Sequence, residues 1–539
     1  MRKFVILFLM AVMLQETVAQ EKVIDNTPDS IAKALMNRPA PGSTRQGTNP
    51  VLFLIGNSTM RNGTMGNGSN GQWGWGYYAS RYFDGRKISV ENQALGGMST
   101  RTFYTDLWPA VREALKPGDW VIVSIGHNDT ADFFDQKRAR GVIPGVDPDT
   151  MVVGFNERRQ VNDTVYSYGH YLRDYIRDIR RAGANPVLMS LTPRDAYDAK
   201  GKIVRKPQTG WAAYVAATEG VPFVDLNELS GAKLDGFSHW KEKYHFHGDH
   251  IHTSAFGAEL NARSAAEGIW YSTNPLLKPL QEMMTGVEPV AYGQSREEGK
   301  PMVFITGDST VKNTDKDEDG MWGWGSQAGL IFDPAKIVWE NVAMAGRSAR
   351  KYLNEGRWEK VYNALRPGDF VLIQFGHNDI CSITNEKERG VIPCTADTCH
   401  VYQMEKDGRY ELVYSFGWYL RKFIDDVREK GATPILLSLT PRNEWPEGRI
   451  ERRNDDYGRW YREVVEMTGV EFVDVHNISA DFLDKKFASK DEAKSKVRAS
   501  KYFCRDHTHT SKLGALMNAR SVAKGLRDIR SGLADYLKK

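Results

Sequence analysis

The first half of the chain contains no cysteine. All four, Cys381, Cys394, Cys399 and Cys504, fall in the second half, and no two have the spacing of a zinc ribbon. Concentrated positive charge is missing as well. The 72 Lys and Arg are balanced by 68 Asp and Glu, for a net +4. No stripe of Lys and Arg gathers in one segment, so no nucleic-acid partner is expected. Long apolar runs are missing except near the start, where Arg2 and Lys3 precede the run Phe4–Leu14. Thr17 and Ala19 then stand at the −3 and −1 positions of a cleavage site. The run is too short to span a bilayer comfortably and reads as a secretory signal peptide over residues 1–19. No cysteine stands beside the cleavage site to carry a lipid. The expectation is an exported protein, periplasmic or extracellular, without a membrane span.

What is present is written twice. Trp73-Gly74-Trp75-Gly76 matches Trp322-Gly323-Trp324-Gly325, and Pro117-Gly118-Asp119 matches Pro367-Gly368-Asp369. Gly126-His127-Asn128-Asp129 matches Gly376-His377-Asn378-Asp379, and Gly141-Val142-Ile143-Pro144 matches Gly390-Val391-Ile392-Pro393. Leu191-Thr192-Pro193-Arg194 matches Leu439-Thr440-Pro441-Arg442, and Asp249-His250-Ile251-His252-Thr253-Ser254 matches Asp506-His507-Thr508-His509-Thr510-Ser511. Two units of about 230 residues each are a tandem duplication, each large enough for its own core. The expected layout is a leader segment over 20–49, a first domain over 50–275, a linker over 276–300 and a second domain over 301–539.

Each unit shows five short apolar, β-branched runs separated by helical patterns. In the first they are Val51–Ile55, Ile88–Val90, Trp120–Ile125, Pro186–Leu191 and Pro222–Leu226. In the second they are Met302–Thr306, Ile337–Trp339, Phe370–Phe375, Pro434–Leu439 and Glu471–Val475. That alternation predicts an α/β fold with a five-stranded parallel sheet in each domain. Helices are predicted at Tyr168–Arg181 and Phe416–Lys430, each ending before a glycine, and a short one near Ser30–Met36.

Chemistry gathers where the first strand of each unit stops. Ser58 follows Gly56-Asn57, and Ser309 follows Gly307-Asp308. A serine hydroxyl becomes a nucleophile when a histidine takes its proton and a carboxylate holds that histidine's tautomer. The late Asp-x-x-His supplies both: Asp249 with His252, and Asp506 with His509. Oxyanion donors are expected from the serine amide, from Gly97 and Gly346 after the second strand, and from Asn128 and Asn378 after the third. Such a site needs no metal or organic cofactor. The cluster His245, His247, Asp249, His250 and His252 looks like a metal site, but Tyr502 and Cys504 replace its first two histidines in the second unit. No shared metal is expected. His127 and His377 are expected to support their loops. Trp-Gly-Trp-Gly reads as packing or as a sugar platform. Arg194 and Arg442 read as surface pairing or uronate binding.

These blocks, in this order, resemble the SGNH (GDSL) hydrolase superfamily. More narrowly, Gly-Asp-Ser-Thr, Ala-Gly-Arg-Ser and Asp-His-Thr-His-Thr-Ser of the second unit resemble rhamnogalacturonan acetylesterases. The resemblance covers almost the whole chain after the leader. It implies two flavodoxin-like three-layer α/β/α domains with strand order 2-1-3-4-5. It also implies deacetylation of plant cell-wall pectic polysaccharide. Four cysteines allow three pairings; a local Cys394–Cys399 disulfide is the first candidate, and such a pair occurs in that family. The first unit departs at Asn57, in place of the motif Asp, and at Met98, in place of Arg. The alternatives are a non-catalytic carbohydrate-binding protein on an esterase fold, or an esterase for another acylated polysaccharide such as xylan. Polar residues after Ser58, and Asp315–Asp319 after Ser309, favour a polar substrate over a lipid. No oligomeric state is assigned.

Overall fold

The computed structural model describes residues 38–62, 71–237, 245–312, 320–407, 410–504 and 506–539. The signal peptide, the expected helix at Ser30–Met36 and the charged run Asp315–Asp319 lie outside the described residues. The strands of the first domain are β1 (Val51–Gly56), β2 (Ser89–Asn92), β3 (Trp120–Ser124), β4 (Met151–Asn156), β5 (Val161–Tyr166), β6 (Asn185–Met189) and β7 (Phe223–Val224). Those of the second are β8 (Met302–Gly307), β9 (Val338–Asn341), β10 (Phe370–Gln374), β11 (Cys399–Gln403), β12 (Tyr410–Tyr414), β13 (Thr433–Leu437) and β14 (Glu471–Val473).

The main sheets run β2-β1-β3-β6-β7 and β9-β8-β10-β13-β14. All their pairings are parallel. Counting only these strands, both orders are 2-1-3-4-5, and helices cover both faces. Alternate residues of β1 serve opposite layers, as the two-residue period of a strand requires. Val51, Phe53 and Ile55 pack with the helix Tyr168–Arg181, while Leu52 and Leu54 pack with the helix Ala255–Trp270. Among the described residues no helix is long and apolar enough to cross a membrane.

Two antiparallel hairpins, β4–β5 and β11–β12, interrupt the pattern and were not expected from the sequence. Met151, Val153 and Phe155 of β4 are exposed, so their apolar alternation marks no core.

The segment ahead of each sheet is clasped in the same way. Arg45 makes a two-pronged ion pair with Asp119, whose carboxylate also accepts from the Val51 amide that begins β1. Gly42 N–H donates to Glu91 at 2.8 Å. In the second domain Arg296 grips Asp369, Asp369 accepts from Met302 N–H, and Gly293 N–H donates to Glu340. A buried carboxylate at the sheet edge is tolerable because it is paired and fully hydrogen-bonded. This is the role of the repeated Pro-Gly-Asp.

The stretch expected to link the domains is anchored to each of them. Leu277 and Leu280 are fully buried in the first domain's core, and the backbone from Gly293 to Arg296 belongs to the clasp of the second. The domains touch through Phe256, which stacks on Trp418 at 5.5 Å, and through an Arg263–Glu359 ion pair.

One expectation is corrected. Cys394 and Cys399 form no disulfide. Cys399 is fixed in the β11–β12 register opposite Tyr414, and the residues between the two cysteines close their own turn, Thr398 N–H to Ala396 C=O. Burial pushes the Cys399 thiol up to about 11, which keeps it protonated and unreactive.

Candidate active site

Both serines sit in the turn that follows the first strand of their sheet, at the carboxyl end where doubly wound folds place ligands. Ser58 is 7% exposed. The turn is held by the preceding side chain. Asn57 Oδ1 accepts from the amide and hydroxyl of Thr59 at 3.1 and 3.0 Å, and Asp308 Oδ1 accepts from those of Thr310 at 2.8 Å each.

The late Asp-x-x-His loops come to these turns. His252 Nε2 lies 2.8 Å from Ser58 Oγ, and its Nδ1 lies 2.7 Å from Asp249 Oδ2. His509 Nε2 lies 2.8 Å from Ser309 Oγ, and its Nδ1 lies 2.6 Å from Asp506 Oδ2. The spacing of three works because the second carboxylate oxygen caps the loop itself. Asp249 Oδ1 accepts from the Ile251 and His252 amides, and Asp506 Oδ1 from those of Thr508 and His509. Partial burial pushes both carboxyls up. The bonds from the histidine ring and the loop amides outweigh it, so both stay below the ordinary carboxylate range and ionised.

The other repeated motifs hold this loop. Thr253 and Trp73 exchange hydrogen bonds, N–H of Trp73 to the Thr253 carbonyl at 2.8 Å and Thr253 hydroxyl to the Trp73 carbonyl at 2.7 Å. Thr510 and Trp322 do the same at 2.9 and 2.7 Å. Ser254 and Ser511 then cap the following helices. Gly74 and Gly323 let the chain pass against the serine turn: a Cβ on either would collide with the carbonyl of Arg61 or Lys312. Trp75 and Trp324 are core residues, 2% and 0% exposed, which favours packing over sugar stacking for them.

The asparagines expected as oxyanion donors are bonded to the loops that carry the expected glycines. Gly97 and Gly346 have φ of 80° and 74°, a left-handed conformation that favours glycine. Asn128 Nδ2 donates to the Met98 carbonyl at 2.9 Å. Asn378 Nδ2 donates to the Arg347 carbonyl and to Asp308 Oδ2, both at 3.3 Å. His127 and His377 lie behind, bonded to Thr192 and Thr440. Burial holds both well below the ordinary histidine range, so they stay neutral and serve the loop. Arg194 donates to the His127 carbonyl, also a loop contact. Arg347 is tied to Glu355 and to the Ala345 carbonyl, so the cation replaced by Met98 braces the glycine loop.

One pair of residues escaped the sequence reading. Arg140 donates to the Gly97 carbonyl at 3.1 Å, and Arg389 donates to Asn378 Oδ1 at 3.1 Å. Arg389 also lies so close over Gly346 that a Cβ there would strike its guanidinium. The available signal was an arginine directly before Gly-Val-Ile-Pro in both units. Among the described residues no group of three or more His, Cys, Asp or Glu is arranged to hold a metal.

A hydroxyl, an imidazole and an ionised carboxylate in line, beside glycine and asparagine, form the chemistry of a serine-type ester hydrolase. The chain matches the GDSL-like lipase/acylhydrolase family over residues 54–260 and again over 305–514, and it belongs to that family. It is similar to a rhamnogalacturonan acetylesterase of Emericella nidulans, 30% identical over 233 residues that make up 43% of this chain and 86% of the relative. The rhamnogalacturonan acetylesterase RhgT of Bacillus subtilis is 30% identical over 254 residues, 44% of this chain and 95% of RhgT. Among solved structures, the YxiM protein of Bacillus subtilis aligns at 25% identity with a TM-score of 0.33, over 41% of this chain and 56% of that one.

Proposed function

We propose that the protein is an exported carbohydrate esterase whose two domains each remove acetyl groups from pectic polysaccharide of the rhamnogalacturonan type. In this reading Ser58 and Ser309 are the nucleophiles, His252 and His509 the general bases, and Asp249 and Asp506 their orienting carboxylates. Ser58 Oγ attacks the acetyl carbon as its proton passes to His252 Nε2. The alkoxide of the sugar leaves with that proton, and water then releases acetate by the same route. The serine amide, Gly97 and Asn128 stabilise the tetrahedral oxyanion, as Ser309, Gly346 and Asn378 do in the second domain. The single observation that carries this reading is the unbroken Ser–His–Asp contact chain, formed independently in both copies. Export rests on the charged and apolar start of the chain, and a mature N-terminus just after Ala19 is expected from N-terminal sequencing.

The test is acetate release from acetylated rhamnogalacturonan, homogalacturonan and xylan by the intact chain, Ser58→Ala, Ser309→Ala and the double variant. Each single variant is expected to retain part of the activity on rhamnogalacturonan and the double variant to lose it. Full activity in the double variant removes the serine assignment, and a preference for xylan removes the pectic substrate.

A further inference from the structure

We infer that the cleft between the two domains is a binding subsite for a neutral sugar residue of the polysaccharide. The inference rests on the reading of the protein as a polysaccharide esterase. The cleft has a volume of about 570 Å³, within the range of small-ligand sites. Trp73, Tyr77, Tyr78 and Phe256 line it from the first domain, and Tyr362 and Tyr414 from the second. Tyr77 is 36% exposed and packs edge-on to Trp73 and Tyr78, at 4.8 and 5.0 Å. Rings of this kind, fixed by their neighbours, offer flat apolar faces to the C–H face of a pyranose at little entropic cost.

Trp73 of the lining is also the residue whose backbone clasps Thr253, next to His252. The cleft thus borders the loop that carries the first domain's base.

Charge decides the ligand class. The lining itself carries five carboxylates, Glu259, Glu355, Glu359, Glu411 and Asp426, against two cations, Arg81 and Lys422. Both cations are already engaged, Arg81 with Glu259 and Lys422 with Asp426. A uronate would bring a further carboxylate into this acidic lining, whereas hydroxyls can share the carboxylates as acceptors. Three of the first domain's rings have no counterpart in the second domain. At the positions of Tyr77, Tyr78, Phe256 and Glu259 the second domain carries Ser326, Gln327, Leu513 and Leu516.

The test is calorimetric titration of the full Ser58→Ala/Ser309→Ala chain with unacetylated galacto-, xylo- and galacturono-oligosaccharides. A neutral oligosaccharide is expected to bind, and to bind at least tenfold more weakly after Tyr77→Ala or after Asn354→Tyr, which fills the cleft from the opposite wall. Circular dichroism melting confirms that the variants are folded. The inference is overturned if no neutral oligosaccharide binds, if binding survives both variants, or if only the galacturonide responds to them. An intact protein that binds neutral sugar but releases no acetate would sink the esterase reading and leave the subsite standing.

Discussion

The two copies differ most tellingly at the residue before the serine, and exchanging that residue tests how the oxyanion asparagine is aimed. In the second domain Asp308 uses one oxygen to hold Thr310 and the other to accept from Asn378 Nδ2. In the first, Asn57 holds Thr59 in the same way, but its amide Nδ2 is buried with no partner among the described residues. At the position matching Asp308 Oδ2, Asn57 therefore presents a donor to the donor of Asn128, and among the described residues the Met98 carbonyl is what holds Asn128. A charge-assisted hydrogen bond contributes about 1.5–3 kcal/mol at good geometry. The Asp308–Asn378 contact is long and shares its donor, so about 1 kcal/mol is reasonable, roughly fivefold in rate. Asn57→Asp, assayed in a Ser309→Ala background, should raise kcat on acetylated rhamnogalacturonan about fivefold with little change in KM. Asp308→Asn in a Ser58→Ala background should lower kcat by a similar factor. Stability should move the other way. Burial raises the Asp308 carboxyl above its unfolded value, so the native state holds its proton more tightly. Ionised Asp308 thus costs stability, a cost that grows as pH rises through the window above the unfolded carboxylate pKa and is absent below it. Asp308→Asn should therefore melt higher at neutral pH. Rate changes under twofold, or changes of the same sign in both domains, would refute this account.

Two further outcomes are expected. Arg389→Ala removes the donor that holds Asn378 Oδ1, and kcat of the second domain should fall about tenfold, an oxyanion donor being worth ~10²–10³ when wholly lost; Arg389→Lys should recover part of it. Burial raises the Asp129 carboxyl to about 6 despite its bonds from Thr100, so Asp129→Asn should raise the melting temperature of the first domain above pH 6 and make no difference below the unfolded carboxylate pKa, as followed by calorimetry.

The core strands were legible because apolar, β-branched runs have few other uses. Their ends were less so, and the reasons are particular. Strand β2 runs on to Asn92 beyond the apolar Ile88–Val90 because Glu91 is buried under the Gly42 and Thr44 amides, and Asn92 donates to the Met60 carbonyl. Strand β9 runs past Trp339 for the same reason, with Glu340 taken by Gly293. The run expected at Pro222–Leu226 is strand only at Phe223–Val224, since Asp225 turns to cap the next helix by accepting from Glu228 N–H. Periodicity sees apolar residues and misses buried polar ones paired from afar. The serine, histidine and aspartate were legible through spacing and repetition. Arg140 and Arg389 were not, because an arginine reaching a backbone carbonyl or an amide across a loop has no local signature.

The repeat also separates what the chemistry requires from what each copy is free to change. The contacts that place serine, histidine and aspartate match closely in the two domains, down to the threonine–tryptophan exchange behind the histidine. One layer out they diverge in compensated sets. Trp324 donates to Gln374, whose amide reaches the Ser438 carbonyl; in the first domain Ser124 reaches only the matching Ser190 carbonyl, Trp75 Nε1 is left without a partner among the described residues, and the larger Met60 stands where the second domain has Val311. Farther out, the first copy gains Tyr77, Tyr78 and Phe256 where it meets the second. On the proposed function, that shared face sets the two serine sites beside one substrate chain, the arrangement in which a tethered second site gains most from high local concentration.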